Sequence, residues 1–168
     1  MSAVSMPTGD ARDSENAFSA ASATPIKIRF ADVDMMQVVH HGAYVHWFEQ
    51  IRWNVLFDVL GIAFAEFVDS GVAMPVIAME AKYRRSFRFT DQPVGYARVQ
   101  LFAEAKVIVH YAVHDAVGGW LGATGSTTHC YVNRDGKLLL RTPPFIQRAL
   151  QQMQSTLRAG APAVAGNA

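Results

Sequence analysis

Apolar and charged positions alternate from Pro25 to Asp32. Ile26, Ile28 and Phe30 fall on one face, Lys27 and Arg29 on the other. A period of two predicts a half-buried strand. From Tyr44 the period lengthens. Tyr44, Trp47, Phe48, Ile51, Val55 and Val59 recur at steps of three and four, which draws one apolar stripe along a helix. Gly61 stands just past Leu60 as a stop signal. The helix is therefore expected over Tyr44 to Leu60, roughly 25 Å long. The stretch FAEFVDSG adds a short helical turn. Long strand patterns follow over Met74 to Phe89, Val94 to Lys106, Val107 to Ala116 and Trp120 to Val132. Gly118-Gly119 marks a tight turn. NRDG, Asn133 to Gly136, turns into a short piece from Lys137 to Arg141. Pro143-Pro144 opens a final helix to about Arg158, with proline at a tolerated first-turn position. One long helix between a first strand and a strand-rich remainder predicts an α+β fold. Its antiparallel sheet packs on, and wraps around, that central helix.

The tails differ from this pattern. Met1 to Thr24 and Ala159 to Ala168 are rich in small residues and read as disordered arms, which leaves one domain over residues 25–158. The chain has 168 residues, half of them apolar, and a net charge of +1. That charge offers nothing to nucleic acid or to an anionic membrane. No apolar stretch approaches the roughly 18 residues of a membrane span. The first 24 residues carry Asp10, Asp13 and Glu15 and lack the apolar core of a secretory signal. A cytoplasmic protein is expected. Cys130 stands alone, so no disulfide forms within the chain. It reads as a buried structural thiol, and no Cys/His spacing suggests a metal.

The stretch DVDMMQVVHHGAYVHWFEQIRW, Asp32 to Trp53, is the densest in candidate chemistry. It holds Asp32-Val33-Asp34, then Val38-Val39, His40-His41 and Phe48-Glu49-Gln50-Ile51-Arg52. In order and spacing these resemble the signature of hotdog-fold acyl-CoA thioesterases of the 4-hydroxybenzoyl-CoA thioesterase family. Lys82 to Asp91, KYRRSFRFTD, is a weaker echo of that family's second strand and turn. The resemblance covers roughly Ile26 to Arg148. It implies thioester hydrolysis without metal or organic cofactor. Asp34 would act as nucleophile or general base, and the backbone N–H at His41 would face the carbonyl oxygen. The chemistry suits these positions. A helix N-terminus offers unpaired N–H groups and partial positive charge to a developing oxyanion. The same end favours the ionised form of a nearby carboxylate. Two positions depart from the family pattern. Gln37 stands where the family has glycine, so a positive φ there would strain it. Ala43 stands where the family often has asparagine.

Other readings remain beside this one. Asp34 also fits a solvated loop residue that caps the helix. Asp32, one residue earlier, points to the other strand face and reads as structural. The His41 side chain is a candidate catalytic or substrate-contacting imidazole, while His40 and His46 read as surface or interface residues. Glu49 is the alternative catalytic carboxylate, or a partner for Arg52 or Arg85. Trp47 and Phe48 read as core. Arg84, Arg85 and Arg88 lie around one predicted strand, with Arg84 and Arg88 on one face and Arg85 on the other. They either hold coenzyme A phosphates or are solvated charges. Three functions follow. The first is an acyl-CoA thioesterase, whose carrier is coenzyme A or a carrier protein. The second is a hotdog hydratase or dehydratase led by His41. The third is a non-catalytic acyl-CoA-binding module. Val107, Ile108, Val109 and Tyr111 leave a strand apolar on both faces, which asks for cover on both. The chain is expected to be at least a dimer. The resemblance implies a homodimer or homotetramer with its active site between subunits.

Overall fold

The order of elements along the chain is β1 (Thr24–Pro25), α1 (His41–Asn54), α2 (Phe64–Ser70), β2 (Val76–Tyr83), β3 (Pro93–Phe102), β4 (Lys106–Asp115), β5 (Leu121–Val132), β6 (Leu138–Leu139) and α3 (Pro144–Arg158). The computed structural model describes residues 22–102 and 105–158. The sheet is antiparallel with strand order β1-β3-β4-β5-β2, and β6 pairs with β5. This is the α+β arrangement the periodicity predicts. Packing groups the residues into two compact units. One runs up to Ile51 and adds Ala81–Arg98 and His110–Gly125. The other holds Arg52–Glu80, Val99–Val109 and the residues from Ser126 on.

In the first unit, Ile26 and Ile28 are buried as their alternation predicts. Pairing, however, stops early. Only Thr24 and Pro25 face β3, opposite Gly95 and Val94, and a 3-10 turn begins at Phe30. That turn puts Phe30 out into solvent, 88% exposed, where the strand pattern put it in the core. The domain also begins earlier than residue 25. Ser22 is buried; its hydroxyl donates to Ala97 O and accepts from Ala97 N–H, and Thr24 is buried too. Residues 1–21 and 159–168, most of the two expected arms, lie outside the described residues. The Ser22–Thr24 end of the first arm is part of the fold.

Helix α1 packs its aromatic stripe inward within the same unit. Phe48 stacks on Tyr111 with centroids 4.6 Å apart, a pair worth about 0.5–1.5 kcal/mol beyond its burial. Ile51 presses on Gly95 so closely that a Cβ there would collide with its side chain. Gly122 is likewise occupied by the ring of Phe87.

In the second unit the helix does not run to Leu60 in one phase. Residues Val55–Val59 form a π turn, closed by Leu60 N–H on Val55 O at 2.8 Å. A π turn takes in an extra residue and rotates the apolar face. Leu56 and Leu60 become buried, and Val59, expected in the stripe, is only half-buried. Phe67 of α2 meets Phe145 of α3 edge-on at 5.1 Å. Among the side chains around a cavity of about 10 Å³ are Leu56, Leu60, Met74 and Ile146, room for about one water. His129 is fully buried; Thr127 Oγ1 lies 2.8 Å from its Nε2 and Met74 O 3.3 Å from its Nδ1.

Candidate active site

The segment between the 3-10 turn and α1 is a tight hairpin. Val33 bridges Val39, Asp34 N–H donates to Val38 O at 3.0 Å, and Gln37 N–H donates to Asp34 O at 2.9 Å. Asp34 Oδ1 accepts Met36 N–H at 2.8 Å. The loop is a turn followed by one left-handed residue, a geometry that favours glycine. Here that residue is Gln37, at φ 60°. Positive φ at the family's glycine position is thus present, with a glutamine bearing it. Asp34 itself is exposed, and the hydrogen bond of its carboxylate caps its own turn, not the helix.

Three contacts tie this hairpin to its surroundings. His40 N–H donates to Asp32 O at 2.9 Å. Val39 N–H donates to Phe87 O at 2.8 Å. Asp32 is buried and gripped by Arg29, whose Nη2 lies 2.8 Å from Oδ1. Burial pushes the Asp32 carboxyl up, but the hydrogen bonds and charge of Arg29 outweigh it and hold it below the ordinary carboxylate range. Asp32 closes the 3-10 turn, where the strand pattern had placed it on a strand face, and its carboxylate is spent on Arg29.

Helix α1 opens beside the hairpin. Of the four amides at its mouth, His40 N–H is committed to Asp32 O and Ala43 N–H to His40 O. Those of His41 and Gly42 belong to the first turn, where a helix has no acceptor of its own. Gly42 matters sterically, because a Cβ there would lie 3.1 Å from the ring of His40. The His41 ring is exposed and stands edge-on to His40 at 6.2 Å. Tyr83 reaches the same turn, its hydroxyl donating to His41 O at 3.4 Å. Glu49 lies farther along α1 and is exposed.

The arginines are not arranged as strand periodicity suggested. β2 ends at Tyr83, and the N–H groups of both Arg84 and Arg85 bond Gly122 O, at 2.8 and 3.0 Å. Two residues opposite one make a bulge, which breaks the two-face alternation. A groove of about 350 Å³ follows, lined by Val38, Arg85, Ser86, Arg88 and Asp91. Arg85 and Arg88 are therefore brought together with the Asp34 hairpin; Arg84 is not part of the lining. The guanidinium of Arg85 lies 4.3 Å over Trp120.

Sequence reasoning missed Phe87, Trp120 and Asp115. Phe87 is fully buried, 4.5 Å from the Trp120 ring and 5.7 Å from Trp47. Its signal was Gly122, a glycine inside a strand pattern, which marks a close approach. Asp115 organises the β4–β5 turn. Its carboxylate accepts N–H groups from Gly118 at 2.6 Å, Gln92 at 3.0 Å and Val117 at 3.2 Å. Burial raises the Asp115 carboxyl, but these amides and then the charge of Arg85 hold it below the ordinary range. Among the described residues no three His, Cys, Asp or Glu side chains gather as a metal site. No helix among them is long and apolar enough to cross a membrane.

Known proteins are similar to this chain in sequence and in fold. The profile of the thioesterase-like superfamily matches residues 28–150. The Bacillus subtilis protein YneP, a provisional acyl-CoA thioesterase, is 24% identical over 110 residues, 66% of this chain and 78% of its own length. The DHNA-CoA thioesterase of Staphylococcus aureus superposes with a TM-score of 0.72 at 26% identity, over 82% of this chain and 93% of that one. A 1,4-dihydroxy-2-naphthoyl-CoA thioesterase from Synechocystis shares the fold at 14% identity and a TM-score of 0.69, over 79% and 96%. With its profile match spanning most of the chain, the protein belongs to the thioesterase-like superfamily and is a thioester hydrolase of the hotdog fold.

Proposed function

We propose that this protein hydrolyses acyl-CoA to the free acid and coenzyme A. Asp34 acts as nucleophile or general base, and the mouth of α1 receives the oxyanion. The observation that carries this reading is the hairpin that joins Asp34 to the helix mouth through Val38 and through the His40–Asp32 bond. The thioester carbonyl lies between them, its oxygen toward the His41 and Gly42 amides, where partial positive charge stabilises it as it turns negative. The His41 ring lines the approach. Arg85 and Arg88 take the coenzyme end in the groove beside Val38.

The active unit in this proposal is a homodimer or homotetramer. β2 is exposed along nearly its whole length, with Val76, Ile77 and Met79 open to solvent. An edge strand of this kind pairs readily with another copy. The cytoplasm suits the lone thiol of Cys130.

Release of free thiol from a panel of acyl-CoAs tests the reaction. Thiol release supports the thioesterase, and binding without turnover marks a non-catalytic acyl-CoA-binding module. Hydration of enoyl chains would mark a hydratase. The residue assignment has its own test. Asp34→Asn retains an acceptor for Met36 N–H, so it folds normally, and kcat falls at least about 100-fold. Wild-type activity in Asp34→Asn together with loss in Glu49→Gln would move the chemistry to the helix.

A further inference from the structure

We infer that the groove beside the Asp34 hairpin seats a phosphate of the coenzyme on Arg85 and Arg88, and that Trp120 is the platform that holds Arg85 ready for it. The inference rests on the acyl-CoA reading and adds to it a positioning residue outside the chemistry.

Arg85 is anchored at both ends. Its N–H is fixed by the bulge on Gly122 O, and its guanidinium lies 4.3 Å over the Trp120 ring. Trp120 is itself walled in. Its ring is 4.5 Å from the buried Phe87 ring, and a Cβ on Gly118 would come within 2.6 Å of it. A guanidinium held over a ring face gives nothing of its hydrogen-bonding capacity to the ring, and its five N–H donors match phosphate oxygens. Holding it there in advance removes rotamer entropy that binding would otherwise lose. Ser86 belongs to the same lining. Two carboxylates are near. Asp91 Oδ2 accepts Arg88 N–H at 2.7 Å and closes the Arg88 turn. Asp115 accepts the amides of Gly118, Val117 and Gln92. Both carboxylates are engaged by backbone amides, and Asp115 also lies within the field of Arg85. Val38 belongs to the lining and to the hairpin of Asp34, so a phosphate here is held on the hairpin that carries the attacking carboxylate.

The test is calorimetric titration with coenzyme A and with pantetheine, which lacks the phosphates. The proteins are wild type, Arg85→Ala, Trp120→Leu, Trp120→Phe and the exposed-charge control Lys27→Ala, each checked for an intact melting transition. Wild type binds coenzyme A more tightly than pantetheine. Arg85→Ala loses about tenfold on coenzyme A, as for a charge-assisted bond. Trp120→Leu loses about 2- to 5-fold, the value of an exposed cation–π contact. Trp120→Phe loses less, and Lys27→Ala nothing. Pantetheine binding stays unchanged throughout. If Trp120→Leu does not fold, the smaller, phosphate-dependent loss in Trp120→Phe decides. Equal losses on both ligands in the Trp120 variants would make Trp120 merely structural and overturn the inference. Loss in Arg85→Ala with none in either Trp120 variant would remove the platform and leave the phosphate seat. No preference of wild type for coenzyme A, or no effect of Arg85→Ala, would remove the seat, while thiol release still judges the thioesterase reading separately.

Discussion

Gln37 is the one non-glycine residue with positive φ among the described residues, and it sits in the turn that presents Asp34. A side chain in that conformation costs about 1–2 kcal/mol. Glycine there removes the cost but adds freedom to the unfolded chain. Gln37→Gly should therefore stabilise by about 0.5–1 kcal/mol, a rise in Tm of roughly 1–4 °C by thermal melt. A β-branched Gln37→Val should lower it. His129 governs a different property. Burial first, and then the charge of Arg52, push its pKa down to about 4. The folded protein thus keeps the ring neutral while the unfolded chain protonates it near 6.5. Unfolding takes up a proton in that window, so stability falls as pH drops from about 6.5 toward about 4. Melting wild type and His129→Gln at pH 7 and pH 5 checks this. The variant should lose less Tm between the two; an equal loss would assign the pH dependence to other groups. The strain at Gln37 could be read from its place in the motif, but the burial of His129 could not. A histidine in an alternating strand is as easily outward as inward.

Helix and strand meet most tightly where Ile51 of α1 fills the space over Gly95 of β3. Overpacking of a filled core typically costs 1–3 kcal/mol. Gly95→Ala should destabilise by at least about 2 kcal/mol, and Ile51→Ala by a similar amount through its cavity. The double variant should be more stable than the sum of the two losses, because each relieves the other. A thermal or urea melt that returns simple additivity would show that the contact is not the source of strain. The same element shows how far periodicity reaches. The stripe from Tyr44 through Val55 is buried as its spacing predicts. The π turn after Asn54 then shifts the phase, and no local signal before Gly61 marks it.

At the scale of the molecule, exposed β2 remains to be covered. Light scattering at micromolar concentration should return at least a dimer mass. A charged residue at Ile77, such as Ile77→Lys, should shift it toward the monomer if β2 forms the contact. A monomer mass for wild type would remove the shared-site arrangement. Period and punctuation by themselves determined the element order, the α+β class and the core face of α1. Those are local properties: a period of 2 or 3.6 and a glycine or proline stop act through neighbours in the chain. The hairpin position of Asp34 was also within reach, because its motif is contiguous. Only the tertiary structure decided that β1 is cut to two residues, that Ser22 belongs to the fold, and that Arg85 joins the groove while Arg84 does not. Each of these depends on a partner far along the chain: Gly95 and Ala97 for β1 and Ser22, Gly122 and Trp120 for Arg85. Such pairings are set by which backbone amides find an acceptor once the sheet has formed, and residue spacing within one segment does not carry that information.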